Sequence, residues 1–196
     1  MKLVLASSNP GKLREVRAVL EPLGFTVLPQ SAFAVPPVEE VAPTFIENAL
    51  LKARNAAKFS GLPALGDDSG LEVEALGGAP GVYSARYAGP DATDQENNRK
   101  LLEALEPFPD LEARRARFRC VLALLRHPFD PAPVMAEATW EGAIALEPRG
   151  EGGFGYDPIF YLPERNCTAA ELPPEEKNRL SHRGQALRRL AAKFKV

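Results

Sequence analysis

The chain opens with a strand signal followed at once by a helix signal, Lys2-Leu3-Val4-Leu5-Ala6-Ser7-Ser8-Asn9-Pro10-Gly11-Lys12. The apolar run Leu3–Ala6 makes residues 2–7 a predicted short buried strand. Asn9 is a favourable helix cap, and Pro10 suits the first position of a helix that Gly24 closes. A strand that runs directly into a helix is typical of α/β proteins.

Three further helices are predicted from caps and apolar spacing. Thr44 and Glu47 have the spacing of a capping box and begin a helix that ends at Gly61. Another helix is predicted over Thr93–Leu105, whereas the Pro-rich segment Ala34–Pro43 is predicted to be irregular. The last predicted helix carries the apolar stripe Leu187, Leu190, Ala191 and Phe194.

Strands are predicted between these helices, and the longer ones follow residue 109. The predicted strands are Thr26–Leu28, Pro63–Gly66, Leu71–Leu76, Phe118–Leu125, Val134–Leu146 and Ile159–Tyr161. The two longest are separated by Arg126–Pro133, which suits a connection between paired antiparallel strands. The predicted fold class is therefore α/β, with a mixed sheet flanked by helices. At 196 residues, one domain over residues 1–196 is expected.

Composition and charge exclude several classes of partner. The net charge of −2 provides no overall basic field, so neither nucleic acid nor an anionic membrane is an expected partner. No apolar run approaches the ~18 residues of a spanning helix, and the run after Met1 is too short for a secretory signal. Cys120 and Cys167 lie far apart without a CxxC pattern, which favours a cytoplasmic protein without structural zinc.

The segment Ser7-Ser8-Asn9-Pro10-Gly11-Lys12 is a candidate site for an anion. A helix N-terminus presents free N–H groups and a partial positive charge, and Lys12 adds a full charge one turn in. The spacing is not that of a Walker A loop, because Leu13 follows the lysine. Taken alone, the segment is better explained as a well-capped helix with a solvated lysine.

The segment Asp67-Asp68-Ser69-Gly70 is a candidate metal centre. Adjacent carboxylates after an apolar strand are unfavourable unless a cation or hydrogen bonds satisfy them. Such oxygen ligands suit Mg²⁺, and a carboxylate beside the metal can deprotonate an attacking water. An acidic turn whose side chains bond their own backbone explains the pattern about equally well before its context is considered.

Two later segments are candidates for nucleotide recognition. Phe154 and Tyr156 lie among glycines, where an aromatic ring is better placed to stack on a base than to build a core, and Asp157 can accept from base N–H groups. Lys177, His182 and Arg183 offer donors for phosphate or for an oxidised base, although helical spacing does not put them on one face. The alternatives are a β-turn that covers a sheet edge and a solvated charged helix start.

Some polar residues have a weaker signal. Glu39 and Glu40 lie in the Pro-rich segment and can add a metal ligand, although exposed loop glutamates are commoner. Asn48 and Lys52 share a helix face at i, i+4, and they are more often structural than catalytic in such a position.

The order of these motifs resembles one family. The stretches that carry the resemblance are Ser7–Lys12, Thr44–Ala49, Asp67–Leu71, Pro80–Tyr87, Gly153–Phe160 and Ser181–Gly184. Together they resemble the inosine triphosphate pyrophosphatase family, which removes non-standard purine nucleotides. The resemblance runs from residue 2 to about residue 194 without a missing block.

The resemblance implies Mg²⁺-dependent cleavage of the α–β bond of ITP, dITP and XTP, giving the nucleoside monophosphate and pyrophosphate. It implies that Asp68 binds Mg²⁺ and acts as general base, and that Glu40 joins the metal site, with Glu39 as the alternative. The implied substrate contacts are Ser7, Ser8, Asn9, Pro10, Gly11, Lys12, Ser69, Phe154, Gly155, Tyr156, Asp157, Lys177, His182 and Arg183.

The same resemblance implies an elongated mixed sheet, two lobes with the site in the cleft between them, and a homodimer. Phe154 would stack on the base, and donors from His182 and Arg183 would favour a 6-oxo purine over adenine, which carries an amino donor there. Two other hypotheses stay open at this point: a hydrolase for other nucleotides, such as dUTP or modified pyrimidines, and a nucleotide-binding regulatory module without turnover.

Overall fold

The computed structural model describes residues 1–193. The strands are β1 Lys2–Ala6, β2 Thr26–Pro29, β3 Ala64–Val73, β4 Arg115–Leu125, β5 Val134–Ile144, β6 Phe160–Leu162 and β7 Cys167–Thr168. The α-helices are α1 Pro10–Leu20, α2 Phe45–Ser60, α3 Asp94–Ala104, α4 Pro174–Leu180 and α5 His182–Ala192. Short 3-10 helices cover Glu21–Leu23, Gln30–Phe33, Glu74–Leu76, Gly81–Arg86, Leu111–Arg114, Pro163–Arg165 and Ala169–Glu171. Phe194, which the apolar stripe of the last helix included, lies outside the described residues.

All seven strands belong to one sheet in the order β2-β1-β3-β4-β5-β6-β7. Strand β1 pairs in parallel with β2 and with β3, and the second pairing brings Ala6 opposite Gly66. Strand β6 pairs antiparallel with β5 on one side and with β7 on the other. The sheet is therefore mixed, as predicted, and the α/β fold class is confirmed.

The predicted break between two strands at the acidic pair is wrong. The sequence predicted Pro63–Gly66 and Leu71–Leu76 as separate strands, but β3 continues through Asp67 and Asp68. Two buried carboxylates are tolerated inside a strand because cations from neighbouring helices pair with them. The acidic pair therefore sits on rigid backbone and not in a turn.

Side-chain caps fix the starts of three helices, and the sequence predicted two of them, at Asn9 and Thr44. Asn9 accepts a hydrogen bond from the Lys12 amide at the start of α1. Thr44 accepts from the Glu47 amide at the start of α2, and Thr93 forms a complete capping box at the start of α3. Each cap satisfies an N–H group that the helix itself leaves unpaired.

The chain divides into two compact units, each with its own apolar core. The first unit comprises Met1–Ser69, Cys120–Ala138 and the residues from His182 onward, and the second comprises Gly70–Arg119 and Thr139–Ser181. Leu3, Leu65 and Leu187 are fully buried in the core of the first unit. In the second, Phe160 packs against Phe118, with ring centroids 4.4 Å apart, and against Trp140 at 5.2 Å.

Three expectations about overall architecture stay predictions: a single domain over residues 1–196, an elongated sheet, and a cleft between lobes. Among residues 1–193, no helix is both long enough and apolar enough to cross a membrane.

Candidate active site

The first unit contains a group of charged side chains that we call the acidic cluster. It consists of Glu15, Glu40, Asp67, Asp68, Lys12, Lys52 and Arg183. Four carboxylates face three cations, so the cluster has a net charge of −1 when all its members are ionised. This surplus of negative charge suits a site that takes up a cation.

The period of the strand assigns the two aspartates to different helices. Successive side chains of a strand point to opposite faces of the sheet. Asp67 meets Lys12 from α1 and Arg183 from α5, whereas Asp68 meets Lys52 from α2. Adjacent acids in the sequence thus acquire separate surroundings and separate chemical properties.

Asp67 is fully buried and bound on both oxygens. Its Oδ1 accepts from Lys12 Nζ at 2.8 Å, and its Oδ2 accepts from Arg183 Nε at 2.6 Å. The Cys120 thiol also points to Oδ2, with 3.8 Å between sulfur and oxygen. Burial alone would raise the pKa of Asp67, but Arg183 and Lys12 outweigh it and hold this pKa well below its usual value. Asp67 therefore stays ionised and fixes the two cations.

Asp68 is buried but keeps one oxygen open. Its Oδ1 accepts from Lys52 Nζ at 2.6 Å. Its Oδ2 is buried and has no hydrogen-bond partner within residues 1–193. Burial raises the pKa of Asp68, Lys52 opposes this rise, and the nearby Glu40 carboxylate adds to it. An open buried oxygen on a fixed carboxylate is a natural position for a cation or a reacting water.

Lys52 links Asp68 to Glu40. Its Nζ donates to Glu40 Oε1 at 3.1 Å, in addition to its bond with Asp68. Burial raises the pKa of Glu40, but the Lys52 ammonium outweighs it, and this pKa lies below its usual value. Glu39 is exposed, so the structure favours Glu40 as the acid associated with Asp68.

Asn48 explains how the Pro-rich segment brings Glu40 to this position. The Asn48 side chain is fully buried, accepts from the Ala42 amide and donates to the Ala42 carbonyl, both at 3.1 Å. These bonds attach the irregular segment to α2 two residues after Glu40. The i, i+4 pair Asn48 and Lys52 was the sequence signal for this arrangement, and it was interpreted as structural.

Gly66 allows α2 to approach β3 closely enough for the Lys52 contact. A Cβ atom at residue 66 would lie 2.0 Å from the carbonyl oxygen of Ala49 and 3.1 Å from the Cβ of Ala53. Any side chain at this position therefore collides with backbone, which cannot move aside like a flexible side chain. No local feature of the sequence indicates this requirement.

The segment Ser7–Lys12 forms a well-bonded helix start. The Ser7 hydroxyl accepts from the Asn9 amide at 3.1 Å, and the exposed Ser8 hydroxyl accepts from Gln30 Nε2 at 2.8 Å. Pro10 has no N–H group, and the Lys12 amide donates to the Asn9 side chain. Among the amides of the first turn, that of Gly11 is therefore the one for which the described part of the chain shows no bond.

Arg183 is buried and donates to the side chains of Asp67, Glu15 and Ser69. Its Nη1 donates to Glu15 Oε2 at 2.6 Å, and its Nη2 donates to the Ser69 hydroxyl at 2.8 Å. His182 is also buried, and it begins α5 immediately after Ser181 separates α4 from α5. Lys177 therefore lies on α4, whereas His182 and Arg183 lie on α5, in agreement with the expectation that the three do not share one helix face.

The second unit holds the glycine-rich loop, residues 152–157. The Asp157 carboxylate is buried, forms an ion pair with Lys177 and accepts from the Phe154 amide at 2.8 Å. Lys177 Nζ lies 4.7 Å from the centroid of the Phe154 ring. Gly153 has φ +72°, and a Cβ atom there would lie 2.0 Å from Asp157 Oδ2, so the loop requires glycine at this position.

The two aromatic residues of this loop behave differently. Tyr156 is buried in the core, and its hydroxyl donates to the Ser84 carbonyl at 2.7 Å. Phe154 is only partly buried. The expectation that aromatic residues among glycines do not build a core is therefore wrong for Tyr156, and Phe154 is the ring that is better placed to meet a ligand.

The structure thus brings the candidate residues into two groups. Lys12, Glu40, Asp68, Ser69 and Arg183 belong to the first unit, and Phe154, Asp157 and Lys177 belong to the second. No group of three or more His, Cys, Asp or Glu side chains arranged to hold a metal exists among residues 1–193. Two carboxylates are sufficient for Mg²⁺, which keeps several waters and shares oxygens of a bound phosphate.

Fold and site define an α/β protein that carries a buried carboxylate–lysine site of the kind suited to a cation and a phosphate. The chain belongs to the Ham1 family, whose model matches residues 3–193. This confirms the resemblance that the ordered motifs indicated.

Named relatives match the chain over almost its whole length. The dITP/XTP pyrophosphatase of Thioalkalivibrio sulfidiphilus is 62% identical over 96% of this chain and 95% of its own. The protein of that name from Escherichia coli O157:H7 is 57% identical, with the same coverage. A solved Ham1 protein from Coxiella burnetii has a TM-score of 0.89 at 55% identity and covers 99% of this chain and 98% of its own. The Staphylococcus aureus Ham1 protein has a TM-score of 0.84 at 42% identity, again covering 99% and 98%.

Proposed function

We propose that this chain is a Mg²⁺-dependent pyrophosphatase that hydrolyses dITP, XTP and ITP to the nucleoside monophosphate and pyrophosphate. The observation that carries the proposal is the buried Asp68, with one oxygen fixed by Lys52 and the other open. Relatives named dITP/XTP pyrophosphatases, 56–62% identical over at least 95% of the chain, support the substrate class.

The acidic cluster fits a divalent cation. Asp68 and Glu40 would hold Mg²⁺, since the Asp68 Oδ2 lacks a protein partner within the described residues and both carboxylates already share Lys52. When bound, Mg²⁺ neutralises charge on the phosphate oxygens and makes the phosphorus a better electrophile. The two adjacent aspartates would have different roles. Asp67 would fix the Lys12 and Arg183 side chains, and Asp68 would bind the metal and the attacking water.

Asp68 would also act as general base. A water oxygen forms a bond to the α-phosphorus, its proton passes to the Asp68 carboxylate, and the bond between the α-phosphorus and the bridging oxygen breaks. Pyrophosphate leaves with the electron pair of that bond. Lys52 holds the Asp68 carboxylate in one orientation through the 2.6 Å contact, which reduces the reorganisation needed when the proton moves.

The triphosphate would be bound near the start of α1. Lys12 Nζ is fixed by Asp67 and supplies a full positive charge, and the Gly11 amide and the helix dipole add to it. Ser7, Ser8, Asn9 and Pro10 would shape this backbone. Ser69 would contact the substrate from its position beside Arg183.

The purine base would be recognised by stacking and by donors. Phe154 would stack on the base, with Gly155, Tyr156 and Asp157 shaping the loop around it and Lys177 fixed by Asp157. His182 and Arg183 would donate to a 6-oxo group. Adenine presents an amino donor at that position, so two donors would face each other and binding would weaken.

The cellular role we propose is removal of deaminated purine nucleotides from the nucleotide pool before they enter DNA or RNA. We also propose a cytoplasmic location and a homodimeric assembly. Sedimentation of the pure protein would test the assembly: a mass of about twice 21.3 kDa is expected.

A panel of nucleoside triphosphates tests the proposed reaction. Rates with Mg²⁺ are measured for ITP, dITP, XTP, dUTP, ATP and GTP, and products are identified by phosphorus NMR. Pyrophosphate together with IMP, dIMP or XMP is expected from ITP, dITP or XTP. Preference for dUTP would replace the proposed substrate class, orthophosphate with a diphosphate would exclude α–β cleavage, and binding without turnover would indicate a regulatory module.

A further inference from the structure

Helix α3 holds the Gly155 residue of the glycine-rich loop from both sides. The Gly155 amide donates to Asp94 Oδ2 at 2.7 Å, and the Gly155 carbonyl accepts from Asn98 Nδ2 at 3.1 Å. Asp94 and Asn98 stand four residues apart and therefore lie on one helix face. All three residues belong to the second unit.

These bonds fix the backbone on both sides of Phe154. The peptide that precedes Phe154 is held because its N–H donates to Asp157 Oδ2 at 2.8 Å. The peptide that follows is held because the Gly155 N–H donates to Asp94. With both neighbouring peptide planes fixed, the direction in which the Phe154 side chain leaves the backbone is fixed as well.

The capping of α3 leaves Asp94 available for this contact. An acid at the first helical position often serves the helix terminus. Here Thr93 and Glu96 form the complete capping box, so the Asp94 side chain is not needed for it.

Asn98 is only 7% exposed, and its Oδ1 has no hydrogen-bond partner among residues 1–193. A buried amide satisfied on one side is unfavourable for stability alone, which favours a role for its bond to Gly155.

We infer that Asp94, supported by Asn98, is a positioning residue that holds the Phe154 ring for stacking on the nucleobase. The inference rests on the proposed function, because it needs a base at Phe154. In this inference, the contacts from α3 strengthen binding of the base. They do not affect the chemistry at Asp68 or the binding of the triphosphate.

Equilibrium binding to the full chain tests the inference without turnover. Calorimetry in EDTA compares ITP with inorganic tripolyphosphate, which has the phosphates but no base. Asp94→Ala is expected to weaken ITP binding about tenfold and to leave tripolyphosphate binding within about twofold. Asp94→Asn retains an acceptor oxygen and is expected to bind ITP within about threefold of wild type. The exposed Asp91, three residues earlier, provides the matched control Asp91→Ala.

Kinetics with Mg²⁺ add a second measurement on the same variants. Asp94→Ala is expected to raise KM for ITP about tenfold while kcat stays within about twofold. Unchanged ITP binding in Asp94→Ala, or equal weakening of ITP and tripolyphosphate, would overturn the inference. Wild type that binds ITP more tightly than Asp94→Ala but hydrolyses none of the panel would refute the proposed function and leave the inference standing. Wild type that neither binds ITP in EDTA nor hydrolyses it with Mg²⁺ would overturn both.

Discussion

The acidic cluster and the glycine-rich loop each contain a buried Asp–Lys pair, but the two aspartates are bonded differently. Asp157 is committed to Lys177 and to the Phe154 amide. Asp68 gives one oxygen to Lys52 and keeps the other open. A carboxylate that accepts from an amide of its own loop fixes the shape of that loop, whereas one with an open buried oxygen has capacity for a cation or a proton. The difference supports the proposal that the loop serves recognition and that the cluster serves chemistry.

Replacement of each aspartate by its amide would separate these roles. Asp68→Asn is expected to lower kcat about 10³-fold, because the amide neither takes a proton nor balances the charge of a cation. Asp157→Asn is expected to act mainly on KM, since it weakens the anchoring of the loop. Steady-state kinetics on ITP measure both. Asp130→Asn, at a buried acid paired with Arg126, is the control, and its kcat is expected to match wild type. A near-normal kcat in Asp68→Asn would rule out Asp68 as the general base.

Asp67→Asn probes the structural half of the acidic pair. Arg183 and Lys12 would lose their buried partner, and an uncompensated buried charge is expected to lower the free energy of unfolding by about 3 kcal/mol. Chemical denaturation followed by circular dichroism measures the change. A loss below about 1 kcal/mol would show that Glu15 and Ser69 suffice to hold Arg183.

Gly66→Ala probes the approach of α2 to β3. The added methyl group would meet the Ala49 carbonyl oxygen at 2.0 Å, and we expect a loss of about 2 kcal/mol in the free energy of unfolding together with a lower kcat as Lys52 shifts. A second substitution, Ala49→Gly, is not expected to restore either quantity, because the obstacle is backbone. Full recovery in the double variant would show that the Ala49 side chain, and not its carbonyl, sets the spacing.

Lowering the pH is expected to remove the contribution of Asp67 to the free energy of unfolding. Because its pKa is lower in the folded protein than the usual 3.8, the folded state binds fewer protons, and the stabilisation is present above pH 3.8 and lost as pH falls further. Stability of wild type and of Asp67→Asn would be measured in EDTA as a function of pH. Below pH 3.8 the difference is expected to narrow by up to about 1.4 kcal/mol per pH unit. A constant difference would mean that folding does not lower the pKa of Asp67.

Local signals were sufficient for most of the fold. Asn9, Thr44 and Thr93 cap helices because their side chains bond amides three residues on, and three residues of sequence contain that information. The mixed sheet followed in the same way from the alternation of short strands with helices.

Contacts between residues far apart in the chain could not be predicted from local sequence patterns. The continuity of β3 depends on Arg183, which is 116 residues from Asp67. The role of Lys52 depends on a helix approach that Gly66 permits. The contact of Asp94 with Gly155 spans 61 residues and has no motif of its own. The site residues themselves were predicted from the order of motifs, and their roles stay predictions.

Hydrolysis of dITP in ¹⁸O-labelled water shows directly whether water attacks the α-phosphorus, as the proposed reaction requires. Mass spectrometry of the products locates the label. The label is expected in the deoxynucleoside monophosphate, with unlabelled pyrophosphate. Label in pyrophosphate would mean attack on the β-phosphorus, and labelled orthophosphate with a diphosphate would mean attack on the γ-phosphorus; either result would contradict the proposed reaction.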